Sequence, residues 1–433
     1  MSLVYTYIKA VASEGTLVKK RELMTLKMYE DVRELFKYML DPRIVYNIKK
    51  IPTECVGAII DTDSKLLTAV KELYTIDSRG RELKELVHGI AWRCTPELKQ
   101  VFTWIIARKN PAKVGRSIVN HVWPDLIYKQ EYMGAVPGHE KALDRLPWST
   151  GVNVQEKIDG QACLVKYRNC VPRTMHTRQG QDITRYFPVF LGRLAFVPEF
   201  DGTVHHELMQ RGVTREAGNG LINKQVKNGV TGGGTDEALY SVLLDTYQKD
   251  VRQSNRHYRM RPFVTKHSIL VQQTTVFCKE NARATAKDFI LHGGEGVVCK
   301  DPDQVFKNGK PWWNVKIKNE FQVELICVGF NEHSVNYDEI GSLKMESSDG
   351  LLKVSVGSGL SDVTRSNPMS VYLDEIIEVT AEKVTQDKRT KVYSLSLPRF
   401  LTGDDQELPV RTDKDTADTL ESILDQEKMS RGL

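Results

Sequence analysis

The period of the hydrophobic pattern changes along the chain, and that change bounds what the chain can fold into. Up to about residue 130 apolar residues recur every three or four positions. "RELMTLKMYEDVRELFKYML" (21–40) sets Leu23, Leu26, Tyr29, Val32, Leu35, Phe36 and Leu40 on one stripe, the period of an amphipathic helix. "TDSKLLTAVKELYTI" repeats the stripe behind an Asp/Ser cap region, and "PELKQVFTWIIARKN" repeats it again before Pro111 closes the run. From about residue 133 short alternating runs take over: "VNVQEKI", "ACLVKY", "VELICVGF". Two helical patterns interrupt them, near 238–248 and 282–292, the first of which reads equally well as a strand. "NGVTGGGTD" (228–236) is the segment expected to be a mobile loop.

From about residue 322 the strands are shorter and evenly spaced, with Asp349-Gly350 expected at a hairpin tip. Four or five antiparallel strands in so short a stretch suggest a small barrel, with the OB-fold among the options. The three grammars predict a multidomain chain: an all-α N-terminal domain, an α+β core without regular β-α alternation, and a C-terminal β-barrel. A length of 433 residues accommodates them at ~150 residues per domain.

Composition excludes several classes. Apolar runs such as "VGAII" (56–60) fall far short of the ~18 residues that span a bilayer. The start, "MSLVYTYIKAVASEG", has neither a basic n-region nor a long apolar core, so no signal peptide is expected. Seven scattered cysteines without a C-x-x-C pair argue against a structural zinc and a disulfide framework, and hence for a cytoplasmic protein. The net charge of +5 is unevenly spread: residues 1–130 hold 22 Lys+Arg against 15 Asp+Glu, a net of +7, which leaves −2 for the rest. A basic excess at one end suits contact with a phosphate backbone, although a solvated basic surface gives the same count.

The chemistry centres on "VQEKIDGQACLVKY" (154–167), where Lys157 interrupts a strand–turn–strand pattern. Lysine is a poor residue for a buried strand because its ammonium loses hydration there. Either Lys157 faces solvent beside an Asp159-Gly160 hairpin turn, or it is a nucleophile. Five further stretches follow in order: "HTRQG" (176–180), "VHHELM" (204–209), "GGEGVVCK" (293–300), "VKIK" (315–318) and "RTDK" (411–414). Each alone is weak; the ordered set is far more specific.

That set resembles the covalent nucleotidyltransferase superfamily, and within it the ATP-dependent DNA ligases. "RSIVNHVWPDLI" (116–127) and "LKVSVGSGL" (352–360) extend the likeness outside the motifs, to nearly the whole chain. The resemblance implies a helical DNA-binding domain over 1–131, a nucleotidyltransferase core over 132–320 and an OB-fold domain over 321–433. It implies ATP and magnesium as cofactors, and nicked duplex DNA as the partner of a monomer. A phosphate monoester carries no good leaving group, so such an enzyme caps the 5′-phosphate with AMP. All three steps are phosphoryl transfers that depend on positioning and charge neutralisation.

In this resemblance Lys157 forms the covalent lysine–AMP, with Ile158 and Asp159 beside it in K-x-D-G. To attack, its amine must be neutral, and Lys316, Lys318 and metal would favour that form. Glu207 and Glu295 are the two carboxylates for metal or ribose. Lys316 and Lys318 alternate with Val315 and Ile317, which in a strand sends both amines to one face. Lys310 stands where the family usually has arginine. Arg178 matches the arginine that contacts ribose or phosphate. Gln155 is placed to read the adenine edge, and Tyr240 is a candidate to stack on the base, with a core role as the competing expectation. Arg411, Asp413 and Lys414 form R-x-D-K, which orients pyrophosphate. Lys113 and Arg116 are expected at DNA phosphates.

Two departures stand out. The family's K-x-D-G-x-R ends here in Ala162, so Arg168 or Arg185 would have to compensate. The Asp-Gly expected before Glu207 is His205-His206, while "FDG" at 200–202 is a decoy with no glutamate after it. An RNA ligase or capping-type nucleotidyltransferase is the alternative, and a catalytically weakened DNA clamp the third reading.

Overall fold

The computed structural model describes the chain except residues 1, 28, 47, 49–50, 52–58, 76–79, 333–338, 388, 402–406 and 432–433. Cys55 and most of the run at 56–60 lie outside the described residues. The chain forms two compact units. The first joins Met1–Tyr132 to Gly160–Val251 and Asn255–Leu270; the second joins Met133–Asp159 to Arg252–Ser254 and Val271–Leu433. No helix among the described residues is long and apolar enough to cross a membrane.

Among the described residues the first unit opens with seven helices: α1 (Leu3–Ser13), α2 (Leu17–Leu26), α3 (Glu30–Leu40), α4 (Asp63–Thr75), α5 (Gly80–Arg93), α6 (Pro96–Ala107) and α7 (Arg116–Val122). The apolar stripe of 21–40 is shared by two helices rather than one. α2 ends at Lys27, and α3 starts after Tyr29 with Glu30 and Asp31 in its first turn, where negative charge suits the helix dipole. The break lets α2 pack on α1 and α7 while α3 packs on α4 and α6. α6 starts on Pro96, whose missing N–H costs nothing there, and stops at Arg108, which is left-handed at φ 54°. Ile8, Met24, Leu35, Phe36, Val101 and Phe102 meet in one core.

The same unit carries a five-stranded sheet. In chain order the strands of the protein are β1 (Val136–Pro137), β2 (Val152–Glu156), β3 (Gln161–Arg168), β4 (Val171–Thr177), β5 (Gly202–Gln210), β6 (Leu239–Thr246), β7 (Ser268–Leu270), β8 (Gln273–Val276), β9 (Gly296–Lys300), β10 (Asn314–Lys318), β11 (Phe321–Glu332), β12 (Ile340–Glu346), β13 (Lys353–Val356), β14 (Ile376–Ala381), β15 (Lys383–Gln386) and β16 (Tyr393–Ser396). The first unit's sheet runs β4-β3-β5-β6-β7, antiparallel except for β6 with β7. The ambiguous stretch at 238–248 is therefore a strand. Residues 228–236, read as a mobile loop, are anchored: Gly229 caps a helix at φ 71°, and the buried Asp236 accepts the N–H groups of Val189 and Phe190 at 2.8 Å.

In the second unit the sheet order is β1-β10-β9-β2-β8. Val152, Val154, Val297, Cys299 and Val315 turn to one face and pack with Ala282 and Ala286 of the helix Lys279–Leu291. The opposite face carries the alternate residues of the same strands. β2 pairs with β8 and β9, whereas β3 pairs with β4 and β5. Residues 157–160 are thus a passage from one sheet to the other, and the hairpin reading of Asp159-Gly160 fails.

The C-terminal stretch holds an antiparallel sheet, β13-β12-β11-β14, and a separate ribbon of β15 with β16. Asp349-Gly350 lies in the loop between β12 and β13, with Gly350 at φ 68°, as the sequence predicts. Among the described residues no continuous ladder closes a barrel. Single bridges at Leu352–Tyr393, Thr380–Arg399 and Ile377–Val410 stand in its place.

Arg256 is among the largest fully buried side chains, and its guanidinium is held by Asp245 at 2.8 and 3.3 Å and by the Val251 carbonyl at 2.6 Å. Removing one partner of such a pair leaves an uncompensated buried charge, at a cost of about 3–5 kcal/mol. Asp245→Ala should therefore lower the urea midpoint of unfolding. Replacing Asp245 and Arg256 together with apolar residues should recover much of the loss, which a urea titration of both variants measures.

Candidate active site

On the polar face of the second unit's sheet, Asn153, Gln155 and Lys157 alternate with the core valines. The Lys157 N–H donates to the Gly296 carbonyl at 2.8 Å, which ties the end of β2 to the start of β9. Its ammonium is ion-paired with Glu295, the two side chains being 22% and 14% exposed. Lys157 is therefore held in place, unlike a free surface lysine. Gly296 sits at φ 131°, and a Cβ there would meet the Ile317 carbonyl oxygen at 2.1 Å, so the glycine of "GGEGVVCK" is obligatory.

Lys316 and Lys318 project from β10 while Val315 and Ile317 pack behind, as the alternation predicts. The Lys316 pKa is held below the usual lysine range, first by burial and then by the cations of Lys318, Lys157 and Lys310. Lys318 is paired with Glu382 and, at 3.0 Å, with Glu320, which also receives Arg399 at 2.6 Å. The sequence reading missed both glutamates. Glu320, two residues after Lys318, was visible in "VKIKNE"; Glu382, the residue before β15, was not.

The first unit assembles the remaining residues on its own sheet. Glu207 is buried on β5, directly across from Ala162 of β3. His205 Nε2 lies 3.8 Å from Glu207 Oε1. Tyr132 packs edge-on to the His205 ring at 5.1 Å, and Tyr247 lies at 6.0 Å. The Arg178 guanidinium stacks over Tyr132 at 4.4 Å. Tyr132 and Tyr247 were not singled out from sequence, since a lone tyrosine carries no signal. Gly160 is needed for close approach: a Cβ there would meet the Leu208 carbonyl at 2.6 Å and Met209 Sδ at 2.8 Å.

The two histidines diverge. His206 turns into the buried side, with Nδ1 2.9 Å from Ser241 Oγ, which is 2.9 Å from Ser268 Oγ. Burial, with a smaller effect of His205, pushes its pKa down to about 3. Tyr240 pairs with Met209 across β5 and β6, under the Arg211 guanidinium at 5.3 Å. Arg168 stands six residues along β3 from Ala162, about 20 Å away, too far to replace the missing arginine. Arg185 donates to the Tyr186 hydroxyl at 3.0 Å. Lys113 is exposed in a left-handed conformation (φ 52°), and Arg116 bonds Gln179 at 2.8 Å.

R-x-D-K folds onto its own domain. Arg411 makes 3.0 Å bonds to both carboxylate oxygens of Asp413, and Arg411 and Lys414 both pair with Glu324 of β11, which is buried. Arg411 holds Asp413 down at about 2. Among the described residues no cluster of three or more His, Cys, Asp or Glu could hold a metal. Glu207 in the first unit and Glu295 in the second are each a lone carboxylate, the kind of ligand magnesium takes beside phosphate and water oxygens.

No family model matches the chain. Two solved structures share its fold over almost the full length: "Pmar-Lig_PreS3", with a TM-score of 0.72 at 18% identity, covers 92% of this chain and 98% of its own, and "Pmar-Lig_Pre." gives 0.71 at 17%, covering 95% and 100%. Among curated proteins the chain is similar to the DNA ligase of Enterobacteria phage T4, 23% identical over 495 residues and covering 98% of each chain. The DNA ligase of Enterobacteria phage T6 is likewise 23% identical over 492 residues, with 98% of each chain covered.

The charge arrangement gives a direct test. Lys318→Met removes a cation beside Lys316 and frees Glu382 from its ion pair, while Glu320 keeps Arg399; both changes favour the charged amine. The Lys316 titration should move upward, read as a higher half-point for its acetylation across pH 8–11 by mass spectrometry.

Proposed function

We propose that this chain is an ATP-dependent DNA ligase that seals 3′-OH/5′-phosphate nicks in duplex DNA through a Lys157–AMP and a DNA-adenylate. The observation that carries this reading is Lys157 itself. It is fixed by Gly296 and Glu295 on the sheet face that also bears Gln155, Lys316 and Lys318. The chain around it is similar from end to end to two phage DNA ligases.

In the first step Lys157 Nζ attacks the α-phosphorus of ATP. A P–N bond forms, the bond to the bridging oxygen of the β-phosphate breaks, and pyrophosphate leaves. Glu295 is the acceptor beside Nζ for the proton the ammonium must lose. Lys316 and Lys318 offset the charge on the phosphates, with Lys310 adding to the local positive potential. Magnesium, bound with the triphosphate, supplies further shielding and would be met by Glu295 or Glu207. Ile158 and Asp159 carry the passage from Lys157 to Gly160. Arg178, Glu207 and Tyr240 serve the ribose and base, and Gln155 reads the adenine edge. Arg411, Asp413 and Lys414 orient the pyrophosphate, for which they must release Glu324.

AMP then passes to the nick's 5′-phosphate, freeing Lys157, and the 3′-hydroxyl displaces AMP to close the strand. The domain division is 1–131 for DNA binding, 132–320 for nucleotidyl transfer and 321–433 for an OB-type domain, acting as a monomer in the cytoplasm. Lys113 and Arg116 contact phosphates without reading sequence.

The decisive experiment incubates the protein with magnesium and radiolabelled ATP, GTP or NAD, and seeks label that survives denaturation. Label from ATP alone is expected, absent in Lys157→Ala, and transferable to nicked DNA in preference to nicked RNA. No label, with an intact mass that excludes prior adenylation, overturns the reading. Duplex binding should weaken steeply with salt, and the double substitution Lys113→Ala, Arg116→Ala should lower the log–log slope by about 2. An unchanged slope would remove these residues from the DNA contact.

A further inference from the structure

Behind Gln155 lies a chain of side-chain amides. Gln155 Nε2 donates to Gln273 Oε1 at 2.9 Å, and Gln253 Nε2 donates to the same oxygen at 3.0 Å. Asn153 Nδ2 donates to Gln253 Oε1 at 2.6 Å, and the Thr275 hydroxyl donates to Asn153 Oδ1 at 2.8 Å. The strand register makes this possible, because Asn153 faces Thr275 and Gln155 faces Gln273 across β2 and β8. Asn153, Gln155 and Gln253 are buried, at 4%, 2% and 2% exposure.

In such a relay each amide fixes the orientation of the next. Asn153 offers its NH₂ to Gln253, which must answer with oxygen and therefore sends its own NH₂ to Gln273. The Gln273 oxygen then accepts from both Gln253 and Gln155. Gln155 is left with Oε1, which receives no hydrogen bond among the described residues. Turning the Gln155 amide over would put two oxygens against each other within a low-dielectric site, which is costly.

We infer that Gln273, Gln253 and Asn153 are positioning residues that lock Gln155 with its oxygen outward, and so select a 6-aminopurine over a 6-oxopurine nucleotide. This rests on the reading of Lys157 as the nucleotidyl acceptor. Gln155 lies on β2 two residues before Lys157, which follows the strand end and is tied to β9 through Gly296, about 7 Å along an extended chain. A nucleotide whose α-phosphate meets Lys157 extends its base along that strand. Adenine carries an N6 donor that the Gln155 oxygen can accept; guanine and hypoxanthine carry O6, which it repels. An amide free to turn over would greet either base.

The experiment compares ATP with inosine triphosphate, which differ at the purine 6-position, in forming label on Lys157 that survives denaturation at neutral or alkaline pH. The wild type should favour ATP by on the order of a hundredfold or more in initial rate over concentration. Gln273→Met removes the acceptor at similar bulk and should bring that preference to within about tenfold, mainly through the ATP concentration needed. Gln273→Glu can only accept, so it should hold Gln155 in place and restore the preference. Gln253→Met provides a second break further from Gln155 if Gln273→Met melts early, and should also lower the preference. A preference unchanged in both methionine variants overturns the relay while leaving the Lys157 reading intact. Absence of label in the wild type with either nucleotide fails the catalytic reading instead.

Discussion

Repulsion among Lys157, Lys316 and Lys318 is the constraint around which the second unit's sheet is arranged. At an effective dielectric of 20, like charges 4 Å apart cost about 4 kcal/mol, and partial burial adds a desolvation cost. The protein answers each cation differently. Lys157 is matched by Glu295, Lys318 by Glu320 and Glu382, and Lys316 by a lowered pKa. The backbone geometry follows from that need. Gly296 lets β9 press against β10 at Ile317 and Lys318, which brings Glu295, the residue before it, to the Lys157 ammonium. These carboxylates are the counter-charges that a polyanion entering this face would displace.

The same reasoning applies to the last motif. Arg411 and Lys414 are matched by one buried carboxylate, Glu324, and Arg411 also by Asp413. Two cations on one buried glutamate satisfy both of its oxygens from within the second unit. Any role at pyrophosphate then exchanges these contacts for phosphate oxygens, so the net gain is the difference between two charge-assisted sets.

How much of this was legible depended on whether a feature was local. The alternation of Val315, Lys316, Ile317 and Lys318 states which faces are apolar and polar, and the structure follows it. The turn after the K-x-D-G lysine was misread, because nothing in "EKIDGQ" tells a hairpin from a passage between two sheets. The stripe of 21–40 concealed a break, since α2 and α3 bury different faces and the period alone cannot register that. Residues 238–248 satisfied both periods, and only pairing with β5 and β7 made them a strand. Glu382 and Gln273 were invisible for the same reason: their partners, Lys318 and Gln155, lie 64 and 118 residues away.

The two departures from the family pattern meet at one carboxylate. Ala162 is the cross-strand neighbour of Glu207, so an arginine at 162 would stand on the same face and compete for that carboxylate. Here His205, which replaces the expected aspartate, lies 3.8 Å from Glu207 and packs against Tyr132, itself covered by Arg178. An aspartate at 205 beside Glu207 would add like-charge repulsion, tolerable where an arginine at 162 offsets it. With alanine at 162 that offset is gone, and a histidine at 205 removes the repulsion. The two substitutions offset each other in the charge around Glu207, while the Arg178 guanidinium stacks over the Tyr132 ring that packs on His205. The small side chain at 162 is what the histidine makes tolerable.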